Sequence, residues 1–218
     1  MGKKKIYKTF CNYDDPYTGV VTSINITKLV TFVKKTNNSF YGSMLYYVLM
    51  SMYNIDAFKY GYGKDENGIL HVYKYDELAA TITVLNLKGE LNFSRYIRYN
   101  LDYKQFINEF ILAKKDAEMN MDYFKILNQD NMNKIQFTCL PWIRFNNFKD
   151  VIEKNEKSSK PKICWGQYYE INNEFFIDFS ILVNHAFQDG IHMAMLVNEI
   201  QNNISKIDFK FQERVLKK

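Results

Sequence analysis

The stretch that most restricts the fold is residues 40–55, FYGSMLYYVLMSMYNI, which is apolar on nearly every side and contains no proline. A helix that is apolar all round has to be enclosed by other elements. With 218 residues, 47% of them apolar, the chain is long enough to build one sizeable core around such a helix. We therefore predict a single globular domain over residues 1–218.

Strand and helix signals are mixed along the rest of the chain without strict alternation. Short apolar runs predict three strands: 21–26, 80–87 and 135–139. Helical spacing of apolar residues predicts three further helices: 27–38, 101–119 and 191–204. The predicted buried faces are Leu29, Phe32 and Val33 in the first and Phe106, Phe110 and Ala113 in the second, which Asp102 is expected to cap at its N-terminus. Polar composition predicts surface connections at 120–134 and 153–162 and a charged C-terminal tail.

Two turn signals predict β-hairpins. Asn67-Gly68 lies between two aromatic-rich runs, which is a strong hairpin signal. Asn172-Asn173 interrupts the apolar run 163–183. Together with the helices, these hairpins predict an α+β fold, a mostly antiparallel sheet with helices packed on it.

Charge and composition exclude several functions. The formal charge of +5 is modest, and the lysines are scattered apart from short clusters near the two ends. Proteins that bind nucleic acid concentrate basic residues on one face or carry a known motif, and neither is visible here. There is no run of about 18 apolar residues, and residues 1–10 lack the apolar segment of a secretory signal. We expect a cytoplasmic protein that binds neither nucleic acid nor a membrane.

The cysteines argue against a disulfide framework. Cys11, Cys139 and Cys164 are odd in number and lack the spacing of a zinc site. We expect reduced thiols.

Two of the three histidines lie in residues 179–192, FSILVNHAFQDGIH. The apolar run places His185 at the end of a strand, and Asp189 with the following glycine begins a turn into the last helix. A histidine held at a strand end by a tight turn is well placed to act as a general base. The alternative is that His185 is structural and Asp189 only caps the helix. His71, in a predicted strand, is interpreted as structural.

A metal site is a second interpretation of the same residues. His185, Asp189 and His192 have the i, i+4, i+7 spacing of one helix face. This requires the helix to begin before His185. The strand-like run before it and Gly190 argue against such a helix, so we predict no metal.

Several segments resemble the chloramphenicol acetyltransferase family. NHAFQDGIH resembles its His-His-x-x-x-Asp-Gly-x-His signature, and LPWIRFNNF resembles its Pro-Trp-x-x-Phe-x-Ser-Phe segment. Further segments follow the family's order and spacing: TSINITKL, SFYGSMLYYVLMSMYN, FKYGY, LDYKQFINEF and ICWGQYYE. The similarity covers nearly the whole chain after the first twenty residues.

The resemblance implies a two-layer α+β sandwich that forms a homotrimer, with each active site at a subunit interface. It also implies acetyl-CoA as a co-substrate, with no tightly bound cofactor. In the family the second histidine of the pair is the general base. It takes the proton from a hydroxyl of the acceptor as that oxygen attacks the thioester, and acetyl moves directly in a ternary complex. By position this role falls on His185.

Two departures concern polar groups of the motifs. The first histidine of the pair is Asn184, a position that is not the base. The serine that stabilises the oxyanion corresponds to Asn147. An Asn amide also donates hydrogen bonds, so the resemblance implies Asn147 as the oxyanion donor if its longer side chain reaches the same position.

A third departure concerns the brace of the site. In the family the residue at Asp189 pairs with an Arg near the N-terminus, where this chain has only lysines. A buried carboxylate needs a partner. We predict that Arg144 or an N-terminal Lys provides it. Gly42, where the family usually has Pro, suggests a relaxed site.

The predicted function is therefore an acetyl-CoA-dependent O-acetyltransferase acting on chloramphenicol or a related small molecule. The alternative, from another class, is a trimeric family member that is catalytically impaired or repurposed and acts as a ligand-binding or interaction module.

Overall fold

A computed structural model describes residues 2–94, 96–119, 133–151 and 158–207. Most of the predicted connection at 120–134, part of the one at 153–162 and the C-terminal tail lie outside these residues. Within the described ranges, no helix combines the length and the apolar composition that a membrane-crossing segment requires.

The helices of the described chain are α1 (Gly2–Phe10), α2 (Thr27–Thr36), α3 (Phe40–Tyr53), α4 (Tyr103–Met119) and α5 (Gly190–Ser205), and a short 3-10 helix spans Asp56–Lys59. The strands are β1 (Tyr17–Asn25), β2 (Tyr60–Lys64), β3 (Leu70–Lys74), β4 (Leu78–Leu85), β5 (Leu91–Phe93), β6 (Ile97–Arg98), β7 (Asn133–Cys139), β8 (Lys162–Ile171) and β9 (Glu174–Asn184).

The apolar helix predicted at the centre is α3, and it is enclosed as expected. Leu45, Val48, Leu49 and Met52 have no exposed surface. The helix begins after Ser39, whose side chain accepts a hydrogen bond from the backbone N–H of Gly42. An apolar helix packed on all sides thus organises the helical layer.

The amphipathic helices bury the faces predicted for them: Leu29, Phe32 and Val33 of α2, and Phe106, Phe110 and Ala113 of α4. The predicted cap of α4 also forms, since Asp102 Oδ1 accepts from the backbone N–H of Gln105 at 3.0 Å. A side-chain acceptor of this kind satisfies one of the unpaired N–H groups at a helix start.

Most strands join one seven-stranded sheet in the order β1-β9-β8-β7-β4-β5, with β6 also pairing with β4. The β4–β7 and β7–β8 pairs are parallel, and the other four pairs are antiparallel. The predicted α+β class and mostly antiparallel sheet are confirmed.

Both predicted hairpins form. Asn172 and Asn173 join β8 to β9 with φ angles of 52° and 62°, the left-handed values that a tight hairpin turn requires. Gly68, with φ of 78°, lies in the turn between β2 and β3, which pair in a separate two-stranded sheet.

The two faces of β9 have different neighbours. Ile177, Phe179, Ile181 and Val183 point into the core beneath the helices. The alternate side chains point to the opposite face, where Asp178 accepts hydrogen bonds from the segment that follows β7. The chain therefore leaves β9 at the boundary between the helix-covered face and the outward face of the sheet.

Helix α1 was not predicted, because its lysine-rich sequence has little apolar periodicity. Tyr7 and Phe10 nevertheless lie three residues apart on one helical face. The Tyr7 ring packs edge-on against Phe187, with centroids 5.8 Å apart, and Phe10 stacks on His185. The helix is thus placed by aromatic contacts to the turn after β9.

The interpretation of Gly42 as a sign of a relaxed site is wrong. A Cβ atom at this position would lie 2.7 Å from Cδ1 of Phe110 and 3.2 Å from Cδ1 of Ile107. Phe110 is a buried ring, 1% exposed, and has little room to move. The glycine is required because α3 and α4 approach each other closely.

We predict that Gly42→Ala destabilises the protein. Overpacking a well-filled core costs about 1–3 kcal/mol, more than the ~1 kcal/mol or less that alanine gains over glycine inside a helix. Gly190→Ala is the matched control, because a Cβ there meets nothing within 4 Å. The free energy of unfolding from urea titration tests this. Equal stability of the two variants would contradict the packing explanation.

Candidate active site

The turn between β9 and α5 holds His185 by its backbone. The His185 N–H donates to the carbonyl oxygen of Pro16 at 2.8 Å, which ties the turn to the start of β1. The N–H groups of Phe187 and Gln188 donate to the carbonyl oxygen of Asn184 at 3.0 and 3.1 Å. The backbone of His185 is therefore held by its own bond to Pro16 and by the bonds that close the turn after it.

The His185 ring is partly buried and lies flat against Phe10, with centroids 4.1 Å apart and an angle of 8° between the planes. Its Nδ1 atom is enclosed and has no hydrogen-bond partner in the described part of the chain. Nε2 makes no hydrogen bond to the described residues and is not fully enclosed. The ring thus offers Nε2 as the nitrogen that an incoming group can reach.

Asn184, interpreted from the sequence only as a departure from the family pattern, has a defined structural role. Its side chain is 2% exposed. Oδ1 accepts from the N–H of Ala186 at 2.9 Å, and Nδ2 donates to the carbonyl oxygen of Ser158 at 2.8 Å. The amide therefore bridges the turn and the segment before β8.

Asp189 caps α5. Its Oδ1 accepts from the N–H of Ile191 at 3.1 Å and lies 2.9 Å from Nδ1 of His192. The same Nδ1 lies 3.1 Å from the N–H of Asp189, so a neutral ring accepts from the backbone and a protonated ring donates to the carboxylate. This reciprocal arrangement is a capping box with histidine in the third position.

The predicted pairing of Arg144 with Asp189 is wrong. Nε of Arg144 lies 3.3 Å from Oδ2 of Asp178, and its guanidinium group lies 3.4 Å from the ring centroid of Tyr169. Asp178 is on the strand face that points away from the helices, whereas Asp189 lies beyond the end of the strand. The nearer carboxylate and the aromatic ring therefore hold the arginine.

The alternative partner predicted for Asp189 was an N-terminal lysine. Neither Lys5 nor Lys8 forms an ion pair with Asp189, and the side chains of Lys3 and Lys4 lie outside the described residues. A mostly apolar cavity of about 280 Å³ adjoins Asp189 and is lined in part by Ile6 of α1. Among the described side chains, the basic group that contacts Asp189 is His192.

Asn147 is exposed and does not share its cleft with His185. It lines a cleft of about 380 Å³ between the segment 146–149 and the outward side chains of β1 and β9, including Ser180 and Leu182. The residues that line this cleft do not include His185. Within one chain, His185 therefore does not line the cleft that holds Asn147.

The metal interpretation fails on helix geometry. Helix α5 begins at Gly190, so His185 precedes it and cannot share a helix face with His192. In the described ranges, no group of three or more His, Cys, Asp and Glu side chains could hold a metal ion.

Two of the three thiols are poor nucleophiles. Burial raises the pKa of Cys139 to about 12 and also raises the pKa of Cys164. The reactive form of cysteine is the thiolate, which a raised pKa disfavours. All three cysteines are free, as predicted.

His71 lies on β3, and its Nε2 is 2.9 Å from Oδ2 of Asp65 in the β2–β3 turn. Its side chain is 49% exposed. This contact within the hairpin agrees with the structural interpretation.

Comparison with solved structures defines the class of fold. A chloramphenicol acetyltransferase superposes with a TM-score of 0.79 and 19% identity, over 94% of this chain and 95% of that one. The cubic core of a pyruvate dehydrogenase multienzyme complex superposes with a TM-score of 0.64 and 13% identity, over 94% and 87%. These likenesses show the fold, a two-layer α+β sandwich.

Sequence comparison identifies the family. The chain is 26% identical to a chloramphenicol acetyltransferase of Staphylococcus aureus over 209 residues, covering 94% of this chain and 93% of that protein. It is 25% identical to one of Clostridium butyricum over 211 residues, covering 97% and 92%. The family model for chloramphenicol acetyltransferase matches residues 2–201. The chain belongs to the chloramphenicol acetyltransferase family, and the predicted family is confirmed.

We predict that Asp189 stabilises the protein as a helix cap, so that Asp189→Ala lowers the free energy of unfolding by about 0.5–2 kcal/mol. Asp189→Asn keeps a good capping oxygen and should lose much less. Urea titration of both variants tests this. A loss in Asp189→Asn as large as in Asp189→Ala would show that the charge, through a basic partner, matters more than the cap.

Proposed function

We propose that the protein is an acetyltransferase that moves an acetyl group from acetyl-CoA to a hydroxyl group of chloramphenicol or a related small molecule, with His185 as the general base. Family membership supports the reaction class. The assignment of the base rests on the position of the His185 ring. This ring stacks on Phe10, with Nδ1 enclosed and Nε2 not fully enclosed.

The chemistry requires a base because an alcohol is a weak nucleophile at neutral pH. Nε2 of His185 takes the hydroxyl proton as the acceptor oxygen attacks the thioester carbonyl carbon. The resulting oxyanion collapses, the carbon–sulfur bond breaks, and the leaving thiolate takes the proton back from the imidazolium. The products are an acetyl ester and CoA. A positioned base of this kind contributes about 10²- to 10⁴-fold in rate.

Transfer is direct, in a complex that holds both substrates. An acyl-enzyme would need a nucleophilic side chain, and the raised pKa values of Cys139 and Cys164 disfavour these two thiols. The side-chain amide of Asn147 donates a hydrogen bond to the developing oxyanion, a role that suits its exposed position in a cleft.

The active site is completed by a neighbouring subunit in a homotrimer. His185 does not line the Asn147 cleft of its own chain, so that cleft does not present both groups to one substrate. The Asn147 cleft lies on the outward face of β1, which is the edge strand of the sheet. A head-to-tail ring of identical subunits would bring the cleft of one chain to the turn of the next.

We expect His185→Ala to lower kcat for acetyl transfer by about 10²- to 10⁴-fold without unfolding the protein, because only the proton acceptor is lost. His71→Ala is the matched control. Its ring is exposed and engaged only in the hairpin, so kcat should remain at the wild-type value. Thiol release from acetyl-CoA with chloramphenicol as acceptor measures the rate.

Wild-type turnover in His185→Ala would exclude this residue as the base. A wild-type protein that binds acetyl-CoA or chloramphenicol without any thiol release would instead identify the alternative function, a ligand-binding module. Turnover only with other hydroxylated acceptors would keep the chemistry and change the substrate.

A subunit-mixing experiment tests the shared site. Asn147→Ala alone should lower kcat by about 10²- to 10³-fold, the cost of one oxyanion donor. When His185→Ala and Asn147→Ala subunits are refolded together in equal amounts, about a quarter of the interfaces combine both intact residues, so activity should return. Mixing His185→Ala with the double variant is the control that recovers nothing. An absence of recovery in the first mixture would contradict the shared site.

A further inference from the structure

We propose that Asn184 is a positioning residue that sets the direction of the His185 ring. The inference rests on the proposed function, in which His185 is the base. It assigns a role in the reaction to a side chain that does not itself meet the substrate.

The Asn184 amide uses both of its polar groups. The 2.9 Å bond from the N–H of Ala186 to Oδ1 joins residues i and i+2, and His185 is the residue enclosed between them. Such a bond closes a tight turn across the backbone of the middle residue. The side chain is 2% exposed, so water cannot replace these bonds without opening the turn.

The second bond attaches this turn to a fixed support. Nδ2 of Asn184 donates to the carbonyl oxygen of Ser158, and this segment is held in turn by Tyr17 of β1. The Tyr17 hydroxyl donates to the carbonyl oxygen of Lys160 at 3.1 Å and lies 3.2 Å from Oγ of Ser158. Tyr17 is also the residue of β1 that pairs with Asn184 in the sheet.

The direction of the His185 ring depends on the Asn184 bonds because the ring itself makes no hydrogen bond to the described residues. Nδ1 has no hydrogen-bond partner among the described residues, so no polar contact fixes the rotation of the ring. Its direction is set by the backbone of the turn and by the stack on Phe10. A displacement of about 1 Å at a reacting group can cost about 10²-fold in rate.

Asn184→Ala removes both bonds. We expect kcat to fall about tenfold to a hundredfold, with KM for acetyl-CoA and for the acceptor little changed, because the base is misdirected while substrate contacts remain. Asn184→Asp has nearly the same shape and keeps the acceptor for Ala186, but it places an oxygen against the Ser158 carbonyl oxygen. Its kcat should also fall, because a buried carboxylate faces a carbonyl oxygen on that side, and it decides the question if Asn184→Ala does not fold.

Asn86→Ala is the matched control. Asn86 is 8% exposed, and its Oδ1 accepts from the N–H of Lys88 at 3.0 Å in the same i to i+2 arrangement. It lies in the β4–β5 turn, at the opposite end of the sheet from β1. This variant should lose stability without losing kcat. If the folded Asn184 variants behave in the same way, with wild-type kcat, the proposal is overturned.

A second measurement does not depend on activity. The chain has three histidines, so ¹⁵N-labelling of histidine gives the signals of three imidazole rings by NMR, two nitrogens each, and His185→Ala identifies the Nε2 signal from position 185. That signal should shift in Asn184→Asp and stay unchanged in Asn86→Ala. An unchanged signal in Asn184→Asp would refute the positioning role. Wild-type turnover in His185→Ala together with a shifted signal would refute the base and leave the positioning of the ring intact.

Discussion

The pairing of β9 with a neighbour on each side is the constraint on which the site depends. The strand pairs with β1 from Tyr17↔Asn184 to Asn25↔Phe176, and it pairs with β8 through the hairpin. A slip of one residue would turn its core side chains to the outer face. Because such a slip would expose the core side chains, the register of β9 is fixed, and this register sets where the strand ends and where His185 lies.

The features of this arrangement that depend on residues close together in the sequence were predictable. The Asn172-Asn173 turn, the enclosed helix α3 and the strand-to-turn boundary before His185 all follow from residue type and periodicity. The partner of Asp189 was also readable, because Asp189 and His192 have the spacing of a capping box. A helix cap was one of the two interpretations of Asp189, and a distant basic partner would be needed only for a buried carboxylate; the structure shows a partly exposed cap.

The parts that depend on contacts between distant segments were not predictable. Nothing in the lysine-rich N-terminus indicates that Phe10 stacks on His185. Arg144 and Asp178 are 34 residues apart, and only the fold shows that they share the outward face. The bond from Asn184 to the Ser158 carbonyl oxygen uses a backbone acceptor, which no residue pattern reveals. In the proposed function the contacts of Phe10 and Asn184 position the base, whereas the predictable contacts build the scaffold.

The central claim is that Nε2 of His185 receives the proton of the acceptor hydroxyl. A crystal structure of the assembled protein with chloramphenicol bound tests it most directly. The account predicts a hydroxyl oxygen of the drug about 2.6–3.2 Å from Nε2, hydrogen-bonding distance for a general base, with Asn147 of an adjacent chain facing the same ligand. Chloramphenicol bound in a cleft that His185 does not reach would contradict it.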